Sequence, residues 1–431
     1  MRFILISIFL LFIITSCSSN NDEKIINDRI SVLSYTSDLI ISSELDTKNI
    51  QIDPPQEVTY WSQSGQSPHH NLPHISINYK FKDKKKILNG VGLATNTIQP
   101  IYFEDKLCNV SSKGFLRCID LINNKITWEL DLKKNDQKKY EVILGGIAYF
   151  NNQIFLVDGY GQVKAINSID GKIIWEKNIS IPIISAPLIY RGHMYFITSN
   201  NNIYALNLNN GEVKWNFQTT FDNKKNILTA TPTAVENIVI VPFSNGEIIA
   251  FIYDSGNIIW TENVSKVSSL SNFDIKDITA NPVIESDKVY TISNNGKLLA
   301  TNLINGSSAW SIEISGSSSP VISGLQLYVL DKDARMLCVN KNTGDIYWLA
   351  QLEKSKNNKK SGKLNNWKGP YLLNGVLYSI SRHGEIVTIS PITGEILSSD
   401  KISINDILIN PIILSDKAFF MDESSNIFEI N

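Results

Sequence analysis

A proline and a tryptophan recur 28 residues apart along most of this chain, as Pro100–Trp128, Pro187–Trp215, Pro232–Trp260, Pro282–Trp310 and Pro320–Trp348. Trp175 keeps the same phase after Ile147, Pro370 points to Ser398, and Pro411 opens an eighth copy that stops short. Phased repetition of this length constrains the fold strongly, because each copy buries its apolar face only against its neighbours. The tryptophans follow one another at 47, 40, 45, 50 and 38 residues, so length varies between copies while spacing inside them is fixed.

Two turns repeat at fixed phase. Fourteen residues before the tryptophan position stand Gly114, Gly161, Asn201, Gly246, Gly296, Ala334 and Gly384; four residues before it stand Asn124, Gly171, Gly211, Gly256, Gly306, Gly344 and Gly394. Glycine and asparagine are the residues that tolerate the positive φ of tight turns. Between the turns sits a small residue (Ala165, Ala205, Ala250, Ala300, Cys118 or Cys338), which suggests close packing of one unit on the next.

One copy displays its strands. Leu188 to Tyr190 is short and apolar, Arg191-Gly192 turns, His193 to Ile197 alternates, Ser199 to Asn202 turns, Ile203 to Leu208 alternates, and Glu212 to Phe217 runs outward after Asn209-Asn210-Gly211. Four antiparallel strands in about 40 residues are the signature of a propeller blade. The expected fold is therefore all-β: an eight-bladed β-propeller of four-stranded antiparallel blades over residues 74–431, its ring closed by an N-terminal strand. The copy after Pro411 lacks its outer strand, and the alternating run Ile75 to Phe81 is the expected donor. Closure of this kind removes the strand edges that invite aggregation.

The N-terminus reads as a targeting segment. Arg2 precedes an apolar run from Phe3 to Ile14, too short to span a bilayer and suited to a signal peptide over residues 1–16. Ile14-Thr15-Ser16-Cys17 resembles a bacterial lipobox, in which Cys17 carries the lipid; an ordinary signal peptide with a chance cysteine is the plainer reading. Residues 17–73 are expected as an extended tether, with Trp61 resting on the propeller. The lysine-rich stretches Lys82 to Lys86 and Lys356 to Lys360 read as solvated loops. Cys108 and Cys118 flank a turn on adjacent strands, placed either to bridge the hairpin or to fill two small packing slots.

A net charge of −2 excludes the basic profile of a nucleic-acid partner. No C-x-x-C pair, G-x-S-x-G elbow or phosphate loop occurs. His69, His70 and His74 lie close in sequence, yet beside Pro68 and Pro73 they read as polar loop residues rather than a zinc site.

Ala165-Ile166-Asn167 followed by Gly171-Lys172-Ile173-Ile174-Trp175 resembles the pyrroloquinoline-quinone-like repeat. Joined to the lipobox, the chain resembles the BamB family, the propeller lipoproteins of the outer-membrane β-barrel assembly machine. Arg29 to Leu33, Pro54-Pro55 and Trp61-Ser62-Gln63-Ser64-Gly65-Gln66-Ser67-Pro68-His69 are similar to the extension of its alphaproteobacterial members. The resemblance implies a non-enzymatic scaffold without a cofactor, a monomer within a hetero-complex, anchored in outer-membrane lipid through Cys17 and facing the periplasm. It implies binding to the POTRA domains of BamA and to other Bam subunits through neighbouring inter-blade loops. Here those loops are Phe221 to Thr229 and Val267 to Thr279, with Ile227 and Leu228 as apolar contacts, Phe273 as an aromatic anchor, and Asp274 and Asp277 as the acidic part. The competing expectation is a quinone-dependent dehydrogenase, and against it stand the lack of an adjacent cysteine pair and of a compact acidic cluster for calcium. A polysaccharide-binding or sensor propeller is a third class, marked by a ring of exposed aromatics on one face.

Overall fold

The computed structural model describes residues 39–431 apart from 44, 91–97, 112, 134–144, 221–228, 265–276 and 355–363. Ile40–Asn431 forms one compact unit. It holds eight four-stranded antiparallel sheets, each a blade: Ile101–Asp131, Gly145–Asn178, Leu188–Gln218, Thr233–Asn263, Val283–Ile312, Val321–Gln351, Lys368–Lys401, and an eighth over Ile412–Ile430. In blade 3 the strands run Leu188–Tyr190, His193–Ile197, Asn202–Asn207 and Val213–Gln218, from the central channel outward. The phase-marking prolines (Pro187 among them) stand immediately before the innermost strand in six of the blades. That strand has an open edge toward the channel, where a missing N–H breaks no ladder.

The repeated tryptophan is an inter-blade lock. In register it lies opposite the small residue of the third strand, as in Ala205↔Trp215 and Ala250↔Trp260, with a bulge directly after the pair. The small residue thus makes room for the ring of its own blade, and the ring then leans across the seam. Trp215 Nε1 donates to the carbonyl of Tyr253 at 3.0 Å, and its ring lies over Gly256, where a Cβ would approach within 2.6 Å. The same two contacts recur for Trp128, Trp175, Trp260, Trp310 and Trp348, each on the next blade, so six seams are locked alike. The buried clusters accordingly lie between blades rather than in one central core.

Two seams are built differently. Ser398 takes the tryptophan position of blade 7 and bonds Thr388 at 2.8 Å. Blade 8 is completed by Lys84–Leu88, which pairs antiparallel with Ile427–Ile430. The ring is therefore closed by an N-terminal strand, but by the lysine-rich stretch and not by Ile75 to Phe81. The reason is exposure: outer strands face solvent on most positions, so Lys84, Lys85 and Lys86 suit the role, whereas Ile75, Ile77 and Tyr79 are buried. Lys84 Nζ sits 5.0 Å from the Phe428 ring, and Lys85 Nζ donates to Asn124 Oδ1 at 3.2 Å across the closing seam. Ile75, Ile77, Tyr79 and Trp61 instead join blades 7, 8 and 1 in the largest apolar cluster.

From Ile40 onward the expected tether is docked. Asp53–Asn78 crosses one mouth of the channel and hydrogen-bonds to the innermost strand of every blade, or to the turn that follows it. Trp61 exchanges both backbone bonds with Tyr102 of blade 1, and the carbonyls of Ser62, Pro68 and His69 accept from Tyr149, Ala234 and Ile284 of blades 2, 4 and 5. Gln63 Oε1 accepts from Ile189 of blade 3, and Asp53 binds Ser323 and Gly324 of blade 6. Ile75 pairs with Leu372 and Asn374 of blade 7, while Val58 and Asn78 bond Ser415 of blade 8. These free inner edges are satisfied mostly by backbone groups, with Gln63, Asp53 and Ser323 adding side-chain bonds. We call Asp53–Asn78 the cap.

Candidate functional site

The cap meets the innermost strands at their middles and far ends. The opposite mouth is framed by the residues that enter those strands, and these line a channel cavity of about 600 Å³. Its walls carry hydroxyls and amides, Thr229, Thr231, Thr279, Asn281 and Ser317 to Ser319 among them, with Lys368 as the charged member. Desolvation, with help from Arg382, pushes the Lys368 ammonium down to about 8.

Two inter-blade loops proposed from sequence end at this mouth, and their ends are stitched together. The N–H of Ala230 donates to the carbonyl of Ile278 at 3.0 Å, and that of Thr231 to Asn281 Oδ1 at 2.9 Å. Ile227, Leu228, Phe273 and Asp274 lie outside the described residues, as does Cys17. Asp277 is described and is buried, 1% exposed, its carbonyl accepting from Asn294 N–H at 3.1 Å. It anchors the base of its loop instead of presenting a surface charge.

Cys108 and Cys118 face each other in register on adjacent strands of blade 1 and are joined by a disulfide. Cys338 is buried and unpaired, and burial pushes its thiol up. His74 is a structural bridge: Nε2 accepts from Gly375 N–H at 2.7 Å, and Nδ1 meets the Asp53 carbonyl at 2.6 Å. Among the described residues no three His, Cys, Asp or Glu side chains come together to hold a metal ion. A quinone held over calcium needs convergent oxygen ligands including carboxylates, and the hydroxyl- and amide-lined channel does not fit that group.

The sequence model described as Outer membrane protein assembly factor BamB matches residues 100–350, more than half of the chain. The chain belongs to the BamB family. It is 33% identical over 223 residues to outer membrane protein assembly factor BamB of Vibrio cholerae, covering 52% of this chain and 57% of that one. The BamB of Moranella endobia is 26% identical over 256 residues, covering 56% of this chain and 66% of the relative. In both, the match spans less than two thirds of the relative's own length. Among solved structures, BamB from Moraxella catarrhalis aligns with a TM-score of 0.68 over 82% of this chain and 99% of that one, at 16% identity. A quinohemoprotein alcohol dehydrogenase from Comamonas testosteroni aligns at 0.61 over 84% of this chain and 76% of that one, at 12% identity. At such identities the likeness concerns the propeller fold, which both structures share, and function has to be read from sites.

No repeat or motif in the sequence marks the cap's contacts. Their one signal was the unusual run Trp61 to His74, polar and proline-flanked, in which Gln63, Gln66, His70 and His74 are all buried.

Proposed function

We propose that the chain is a non-enzymatic scaffold of the outer-membrane β-barrel assembly machine, lipid-anchored through Cys17 and facing the periplasm. In this reading it binds the POTRA domains of BamA and sits among the other Bam subunits. Membership of the BamB family carries the proposal. The Cys108–Cys118 disulfide supports it, since such bonds persist in oxidising compartments such as the periplasm. The cap supports it too: with one mouth occupied by the chain's own segment, the loops at the other mouth are the ones offered to a partner.

The proposed contact strip comprises Ile227 and Leu228 on one loop and Phe273 and Asp274 on the next, with Asp277 beneath as support. Calorimetric titration of residues 18–431 with the POTRA domains of the same organism's BamA tests this. Saturable one-to-one binding is expected, weakened at least tenfold in Ile227→Ala/Leu228→Ala and in Phe273→Ala/Asp274→Lys while the melting transition stays unchanged. Absence of binding in the unaltered chain overturns the proposal; undiminished binding by both double variants moves the interface elsewhere.

A further inference from the structure

Beside the channel, against the cap, lies an alcove of about 70 Å³. Trp61 and His70 of the cap and Tyr371 of blade 7 line it, and each is more than nine-tenths buried. All three carry polar atoms without a hydrogen-bond partner: Trp61 Nε1, both ring nitrogens of His70, and the Tyr371 hydroxyl. One His70 nitrogen comes near the Pro282 carbonyl without completing a bond, and burial drives that imidazole down to about 3, so it is neutral. An unmet donor in a buried site costs on the order of 1–3 kcal/mol. Two such donors around one void, Trp61 Nε1 and the Tyr371 hydroxyl, mark a place built for an occupant.

The chemistry of the walls narrows that occupant. The indole N–H is a donor only and the phenol is kept protonated by burial, whereas the single N–H of the neutral imidazole is directed to the Pro282 carbonyl. The alcove and the main channel share Ser64, Gln99, Asn281, Ser319 and Asn410. Among the described residues no Asp or Glu lines either space, and Lys368, adjacent to alcove residues Gly369 to Tyr371, lines the channel without an ion pair to a described carboxylate. Asn281 and Gln99 are already engaged, with Ser64 and the Asn410 carbonyl respectively.

We propose that the alcove binds a small organic carboxylate, its oxygens accepting from Trp61 and Tyr371 and its charge facing Lys368. The volume corresponds to roughly five water-sized spheres, which suits a molecule such as acetate or lactate. The site is independent of the scaffold role. It places the ligand under the cap, where occupancy joins the cap to blade 7.

The test uses the whole mature chain, with acetate and D-lactate as probes, acetamide and glycerol as neutral matches, and sodium chloride at equal ionic strength as reference. Either carboxylate is expected to raise the thermal midpoint saturably, with heat of binding in calorimetry, and the neutral compounds are not. Tyr371→Phe removes only the hydroxyl, Trp61→Phe removes the ring N–H together with part of the indole's bulk, and Lys368→Met removes the charge; each is expected to weaken binding at least tenfold. Three results overturn the proposal: carboxylates no better than chloride, acetamide as good as acetate, or binding undiminished in both Trp61→Phe and Tyr371→Phe. In the first case the alcove holds water only. Should one variant fail to fold, the other two carry the comparison.

Discussion

Gly256 and Gly192 offer a clean separation of two costs. Both have left-handed backbone, at φ +71° and +77°. A Cβ added at Gly192 meets nothing within 4 Å, whereas at Gly256 it would lie 2.6 Å from Trp215 Cδ2 and 2.8 Å from Cε3. Gly192→Ala should therefore cost only the left-handed penalty, about 1–2 kcal/mol. Gly256→Ala should add about 1–3 kcal/mol of overpacking, because the indole is held by its bond to Tyr253 and cannot retreat. The total is about 2–5 kcal/mol. Urea unfolding followed by circular dichroism gives both values. Removing the ring should remove the extra cost, so in a Trp215→Leu background Gly256→Ala should fall to the Gly192→Ala value. Equal losses at the two glycines, or an unchanged penalty without the indole, would refute the lock.

Three further outcomes follow from named features. Replacing Cys108 and Cys118 by alanine should lower stability by roughly 2–3 kcal/mol, the chain-entropy value for so short a loop, and reductant should reproduce the loss in the unaltered protein. A chain beginning at Ile40 should keep the unfolding midpoint, while one beginning at Lys80 loses the cap's bonds to eight blades; counting a single bond per blade at about 1 kcal/mol, the loss is at least on the order of 8 kcal/mol, read as loss of the cooperative transition. Lys368 has its pKa lowered from 10.5 to about 8 in the folded state. Between those values the unfolded chain binds more protons, so folding stability should rise with pH from about 8 toward 10.5. Lys368→Met should flatten that rise in parallel melts across the range.

The blades were legible because their seams are written in side chains. A tryptophan on one blade demands a glycine on the next and a small residue opposite itself, and these three marks recur at fixed phase. Where the seam uses other chemistry the sequence misled: Lys82 to Lys86 looked like a loop because a solvent-facing outer strand has no need of apolar residues, and Ile75 to Phe81 looked like a strand because its alternation serves a buried strap. The cap was illegible for a related reason. Most of its bonds run from backbone to backbone, which nearly any sequence can make. Cys108 and Cys118 occupied positions where a small residue would also serve, and their pairing became evident only from the register. Asp277 reads as a surface acid because nothing in its sequence neighbours betrays that it is buried.

The closing strand has a consequence for how the molecule is made. Lys84 pairs with Ile430, so the first edge synthesised waits for almost the last residue. Until blade 8 is complete the cap has no closed ring on which to dock. A chain interrupted anywhere in blade 8 would never pass this point. The complete set of cap bonds therefore requires, at one end of the channel, that all eight blades are present.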